Sequence, residues 1–144
     1  MYHIVIPIDT STERGVKATQ HVVDLLEDGP FGDPESITVT LLNVFEKFKA
    51  IDDGGNVKSD DLYDEDSFPE AVTSARELLD GTGVEYDLER RHGDSVDEIV
   101  DFADEVDADL IVMAPRKRSS VGKVVFGSVA QNVLINTERP TLIV

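Results

Sequence analysis

The chain of 144 residues contains no cysteine, which excludes disulfides, thiolate metal sites and cysteine nucleophiles. It also lacks an apolar run long enough to cross a bilayer, so no membrane partner is expected. Its opening stretch, "MYHIVIPID", has no basic n-region, no long apolar h-region and no small-residue cleavage site, and the expectation is a cytoplasmic protein. Basic side chains are scarce: 13 Lys and Arg stand against 30 Asp and Glu, a formal net charge of -17. The acids are spread along every segment and alternate with enough apolar residues to build a core, unlike a disordered acidic tail. A duplex nucleic acid would be repelled over most of such a surface, so no nucleic-acid partner is expected. A uniformly acidic globular surface fits a salt-adapted protein, because at 1 M salt the Debye length falls to about 3 Å and self-repulsion disappears.

The usual catalytic and metal patterns are missing as well. His3, His21 and His92 are far apart and show no ligand spacing such as H-E-x-x-H. The acids at 52, 53, 60, 61, 64, 65 and 66 do not fit the twelve-residue calcium loop. The pair Gly122-Lys123 invites a P-loop, but that pattern requires glycine at 117 and a hydroxyl at 124, where the chain has Lys117 and Val124. No nucleophile elbow or Ser-His-Asp arrangement is present. A phosphoacceptor domain of similar topology needs an Asp at the end of the third strand, where this chain has Arg90-Arg91. No catalytic residue and no metal site are expected, and the protein is not expected to be an enzyme, with ATP hydrolysis very slow at most.

What is present is an alternation of strand-like and helix-like segments. The run from His3 to Ile8 and "DLIVMA" at 109–114 are almost wholly apolar, as strands buried on both faces of a parallel sheet are. "ITVTLLNVF" (37–45), "VEYDLERR" (84–91) and the closing "TLIV" supply three more strands. Between them, helices are predicted with capping-box spacing at Thr10/Glu13, Ser67/Glu70 and Ser95/Glu98. Their apolar faces are Ala18, Val22, Leu25 and Leu26, then Ala71, Val72, Ala75, Leu78 and Leu79, then Val96, Ile99, Val100, Ala103 and Val106. A fourth helix carries Val129, Val133 and Leu134. The stretch from about 46 to 67 lacks periodicity and reads as an acidic loop within a single domain spanning 1–144.

Strands alternating with helices imply right-handed crossovers and a doubly wound α/β fold with helices on both faces. Ligands of such sheets sit beyond the carboxyl ends of the strands, where the strand order reverses. The first and fourth strands are the most apolar and hence the most central, which brings Asp9 and the loop after Met113 to one crevice. That loop carries Arg116, Lys117, Arg118 and Lys123 and enters a helix at Gly127-Ser128. Backbone N–H groups, a helix N-terminus and side-chain charge could together receive a phosphate there. An exposed loop kept soluble by its charges is the equally simple alternative.

The segments "IVIPIDTS" (4–11), "LLNVFE" (41–46), "GDSVDEIVDFADEVDADLIVMA" (93–114), "FGSVAQNVL" (126–134) and "RPTLIV" (139–144) resemble, in order and spacing, the universal stress protein family. The resemblance implies a five-stranded parallel sheet of order 3-2-1-4-5 and a homodimer paired through the last strand. It implies a stress-response or signalling module. Family members that bind ATP carry G-x2-G-x9-G-[ST] after the fourth strand. On this chain the four positions fall at Ala114, Lys117, Gly127 and Ser128, so half of the motif is kept. The resemblance places Pro7 and Asp9 near a ribose and Val44 and Met113 beside an adenine. It places Ala114, Arg116, Lys117, Arg118, Ser119, Gly127, Ser128 and Val129 around ribose and phosphates, with ATP, accompanied by Mg²⁺, as the implied ligand. A nucleotide-independent dimeric interaction protein of the same fold is the alternative. If Lys117 kept a glycine-like positive φ, the cost would be about 1–2 kcal/mol, which pairing of the 116–118 cations with phosphates could offset.

Overall fold

The computed structural model describes residues 1–45, 68–120 and 123–144, with the side chains of 117–126 excepted. Strand β1 (Tyr2–Ile8) is followed by helix α1 (Thr12–Glu27), a 3-10 turn (Pro34–Ser36) and β2 (Ile37–Phe45). Helix α2 (Glu70–Asp80), β3 (Glu85–His92), α3 (Ser95–Glu105) and β4 (Leu110–Met113) continue the alternation. A short β5 (Lys117–Ser120) and β6 (Lys123–Phe126) come next, then α4 (Ser128–Asn136) and β7 (Thr141–Ile143). The main sheet is parallel throughout, in the order β3-β2-β1-β4-β7. With β7 as its fifth strand, this is the 3-2-1-4-5 arrangement.

Alternation along the strands divides the core into two layers. Ile4, Ile6 and Ile8 pack with Val39, Leu41 and Val112 against Ala18, Val22 and Leu26 of α1 and Ala71, Val72, Ala75 and Leu79 of α2. Val5, Leu42, Ile111 and Met113 face the other way, against Ile99, Phe102 and Ala103 of α3 and Ala130 and Val133 of α4. Strands carrying apolar residues on both faces must be central, and β1 is: Ile4, Val5 and Ile6 are wholly buried. β3, with no fully buried residue, lies at the edge.

Several local details differ from the sequence reading. The cap of α1 is Ser11, not Thr10: Ser11 is the last residue with extended backbone, and its Oγ accepts the Arg14 N–H at 3.3 Å. The cap of α3 is likewise Asp94, not Ser95, its Oδ1 accepting the Asp97 N–H at 3.1 Å. α2 starts after Pro69 without a side-chain cap, and Ser67 lies outside the described residues with the rest of 46–67. At α1 and α3 a spacing pattern matched, but the hydroxyl or carboxylate that stands at the turn into the helix does the capping. Phe102, absent from the predicted α3 face, is buried in its core layer, while Leu134 of α4 is 42% exposed.

The stretch after β4, expected as a loop, is in part a β-hairpin. Lys117 pairs with Phe126, Arg118 with Val125, Ser119 with Val124 and Ser120 with Lys123 in antiparallel register. At its base the Gly127 N–H donates to the Arg116 carbonyl at 2.8 Å.

Candidate functional site

The sheet order reverses between β1 and β4, which are hydrogen-bonded neighbours and leave for opposite sides. A crevice at their carboxyl ends follows from that divergence. β1 delivers Asp9 to it, and the carbonyl of Ile8, just before the chain departs, accepts from Asn43 Nδ2 of β2 at 3.0 Å. Asn43 is 4% exposed, so this bond satisfies a buried carbonyl and fixes where β1 ends.

Asp9 is held on both oxygens. Oδ1 accepts the Ser11 N–H at 2.8 Å, and Oδ2 receives Nη2 of Arg14 at 2.5 Å. Arg14 was not anticipated as a site residue. It occupies the third position of α1, where a capping box would put Glu or Gln, and where a cation opposes the helix dipole. That misplacement, five residues after an acidic strand end, is the signal by which sequence alone could have found it.

Of the other predicted residues, Met113 belongs to the α3/α4 layer of the core, and Val44 and Val129 pack against that same layer. Pro7 is half-buried on β1 two residues after Val5, so strand alternation gives it the same face. Ala114 instead packs against the layer built by α1 and α2, and so is separated from Val44, Met113 and Val129 by the sheet. Arg116 is exposed and adjoins Gly127: a Cβ added at 127 would lie 3.6 Å from the Arg116 carbonyl and 3.7 Å from its Cβ. Gly127 caps α4 with extended backbone (φ -61, ψ 157) and no side-chain hydrogen bond, leaving exposed Ser128 and half-buried Val129 at the helix entry. The N-termini of α1 and α3, by contrast, are closed by Ser11 and Asp94.

Lys117 does not take the positive φ of a glycine position, so that cost does not arise. Among the described residues the non-glycine with positive φ is Asp107, and Lys117 runs extended into the hairpin. The backbones of Lys117, Arg118 and Ser119 therefore form strand β5, where the sequence reading had placed a basic loop. The side chains of these three lie outside the described residues.

A cavity of about 580 Å³ lies elsewhere, lined by Asp104, Asp109, Asn136, Glu138, Arg139 and their neighbours at the amino ends of β4 and β7. None of the predicted residues borders it. Arg139 is engaged there with Asp104 at 3.2 Å, Asp107 at 2.5 Å and the Ala108 carbonyl at 3.2 Å, bracing the left-handed turn at the end of α3. Among the described residues no cluster of three or more His, Cys, Asp or Glu could hold a metal ion, and no helix is long and apolar enough to cross a membrane.

A sequence model of the universal stress protein family matches residues 1–144, the whole chain. The chain belongs to the universal stress protein family. It is 28% identical over 141 residues to a universal stress protein of Methanocaldococcus jannaschii, covering 98% of this chain and 80% of the relative. The solved universal stress protein of Archaeoglobus fulgidus superposes with a TM-score of 0.71 at 27% identity, over 99% of this chain and 98% of that one. A structure of the Archaeoglobus fulgidus universal stress protein in complex with dAMP gives 0.62 at 24% identity, over 99% and 97%. An Arabidopsis thaliana family protein with AMP bound gives 0.62 at 16% identity, over 100% and 91%. The chain thus shares with these proteins the parallel five-stranded sheet and its strand order.

Proposed function

We propose that this universal stress protein is a non-enzymatic stress-response module that binds an adenine nucleotide, ATP being the leading candidate, at the carboxyl ends of β1 and β4. The observation that carries the proposal is the meeting of Arg116 with Gly127 at the open N-terminus of α4, in the segment that leaves β4, the parallel neighbour of the strand that delivers Asp9. Unsatisfied helix N–H groups and a guanidinium suit phosphates, and Asp9 suits ribose hydroxyls. Buried Met113, with half-buried Val44 and Val129 packed against the same core layer, offers a base an apolar wall. The bound adenine nucleotides of the relatives from Archaeoglobus fulgidus and Arabidopsis thaliana support the class of ligand. In this proposal the phosphate end relies on cations and the α4 N-terminus, because Ala114 and Lys117 stand in place of two motif glycines. Mg²⁺ would accompany a triphosphate as part of the ligand.

The protein acts in this reading as a cytoplasmic homodimer paired through the outer edge of β7, with nucleotide occupancy biasing the loop and the dimer surface. Exposed Leu134 and Ile135, on the helix just before β7, favour a partner surface on that side. That surface and the lost glycines also favour the second reading, a nucleotide-independent dimeric interaction protein. The two readings separate in one experiment. Protein purified at high salt without added nucleotide is denatured and analysed for released adenine nucleotide, and a native sample freed of nucleotide is titrated with ATP and Mg²⁺ by calorimetry. Binding weakened at least about tenfold by Gly127→Val or Arg116→Ala supports the nucleotide site. No release and no heat of binding at millimolar ATP would leave the interaction protein.

A further inference from the structure

We infer that Arg14 is a positioning residue for the proposed nucleotide site, fixing the Asp9 carboxylate so that it accepts both hydroxyls of a vicinal diol. This inference rests on the nucleotide-binding reading given above. An ionised carboxylate offers about four acceptor positions, two on each oxygen. In Asp9 one position on Oδ1 is taken by the Ser11 N–H at 2.8 Å and one on Oδ2 by Arg14 Nη2 at 2.5 Å. One position per oxygen is left, on a group that is 59% exposed at the end of β1. Two parallel acceptors on a carboxylate held at both ends match two neighbouring hydroxyls, as on an unmodified ribose. A carboxylate held by Ser11 alone would rotate about its last bond and present the pair only part of the time.

The position of Arg14 gives independent support. Its side chain is 27% exposed, and it stands in the first turn of α1, where a cation gains nothing from the helix dipole. The side chain turns back across the cap to Asp9, although the chain offers 30 acidic residues as partners. A purely structural brace would need no particular orientation of the carboxylate, whereas diol recognition does. Arg is also suited to the task by its planar, pre-organised donors, which Lys lacks.

The test compares ATP with 2′,3′-dideoxy-ATP by calorimetry on the wild type, Asp9→Ala, Arg14→Gln and Arg14→Lys, with thermal unfolding measured in parallel. The wild type is expected to prefer ATP at least about tenfold, as two hydrogen bonds to a charged acceptor imply. Asp9→Ala and Arg14→Gln should both bring that ratio down to about twofold or less, with Arg14→Lys between them, while affinity for the dideoxy analogue changes little. If Arg14→Gln keeps the wild-type ratio, whether or not its melting temperature falls, Arg14 is only a structural brace and the inference is wrong. If the wild type binds neither nucleotide, the site reading itself has failed and the inference falls with it. Binding by the wild type with no preference between the two would overturn the diol assignment while leaving nucleotide binding intact.

Discussion

At the scale of single residues, buried Asn43 and half-buried His3 set measurable costs. Asn43 Nδ2 is the partner of the Ile8 carbonyl, and Asn43→Ala leaves that carbonyl without its donor in a nearly dry position. The expected loss of stability is about 1–3 kcal/mol, read as a lower urea midpoint with an unchanged slope. His3, on β1, has Nε2 2.7 Å from Thr40 Oγ1 of β2. Burial lowers its pKa below the ordinary 6.5, and the opposing pull of Asp109 and Asp87 is smaller. The native ring therefore stays neutral where the unfolded one takes up a proton. Stability from this group is fully present above about 6.5 and is lost as pH falls from there through the native pKa. Urea unfolding of His3→Gln across this range should show a flatter pH dependence than the wild type. Glu105, held below its usual range by the hydrogen bond from Arg91, adds an acid-side loss at lower pH that this variant leaves in place.

Among the elements, β7 and α4 carry the next prediction. The Val144 N–H donates to Met113 and the Pro140 carbonyl accepts from Ile111, so positions 140, 142 and 144 face β4. Strand alternation then turns the N–H groups of Thr141 and Ile143 to the outer edge. An unpaired edge of this kind is a pairing surface, and the proposed dimer would use it. Ile143→Pro removes one outer donor while sparing the β4 ladder, and proline is tolerated on an edge strand. Light scattering is expected to show a dimer for the wild type and a monomer for this variant, with the circular dichroism unchanged. A wild-type monomer would refute the dimer. The hairpin β5–β6 makes a contrasting point. Its residues were legible as cationic and helix-entering but not as strands, because their pairing depends on Arg116 and Gly127 meeting at the base.

For the whole molecule, charge is distributed unevenly. Of the 13 basic residues, Arg14 and Lys17 belong to the segment between β1 and β2, and Arg116, Lys117, Arg118 and Lys123 to the one between β4 and α4. The amino ends carry Asp104, Asp107, Asp109 and Glu138 around a single paired Arg139. The formal net charge of the whole chain is nonetheless -17. The same net charge implies self-repulsion, which screening relieves. The melting temperature is expected to rise as NaCl increases from about 0.1 M to about 2 M. Ion pairs such as Arg139–Asp107 weaken over that range, so a rise means that repulsion outweighs them. A flat or falling curve would count against salt adaptation.

The alternation of apolar strands with amphipathic helices was enough to specify a doubly wound sheet with β1 and β4 at its centre. The reason is local: a residue's burial on one or both faces is written in the spacing of apolar side chains, and β3 announced its edge position by its charges. The family was legible too, since "IVIPIDTS", the 93–114 segment and "FGSVAQNVL" stand in order along the whole chain. Tertiary structure decided what depends on meeting at a distance or on a turn's geometry. It put Ser11 and Asp94 at the caps, gave Lys117 an extended backbone in a hairpin where a loop was expected, and packed Ala114 against the other core layer from Met113. It also closed Arg14 onto Asp9, because only the folded turn from strand to helix brings that guanidinium back over the strand end.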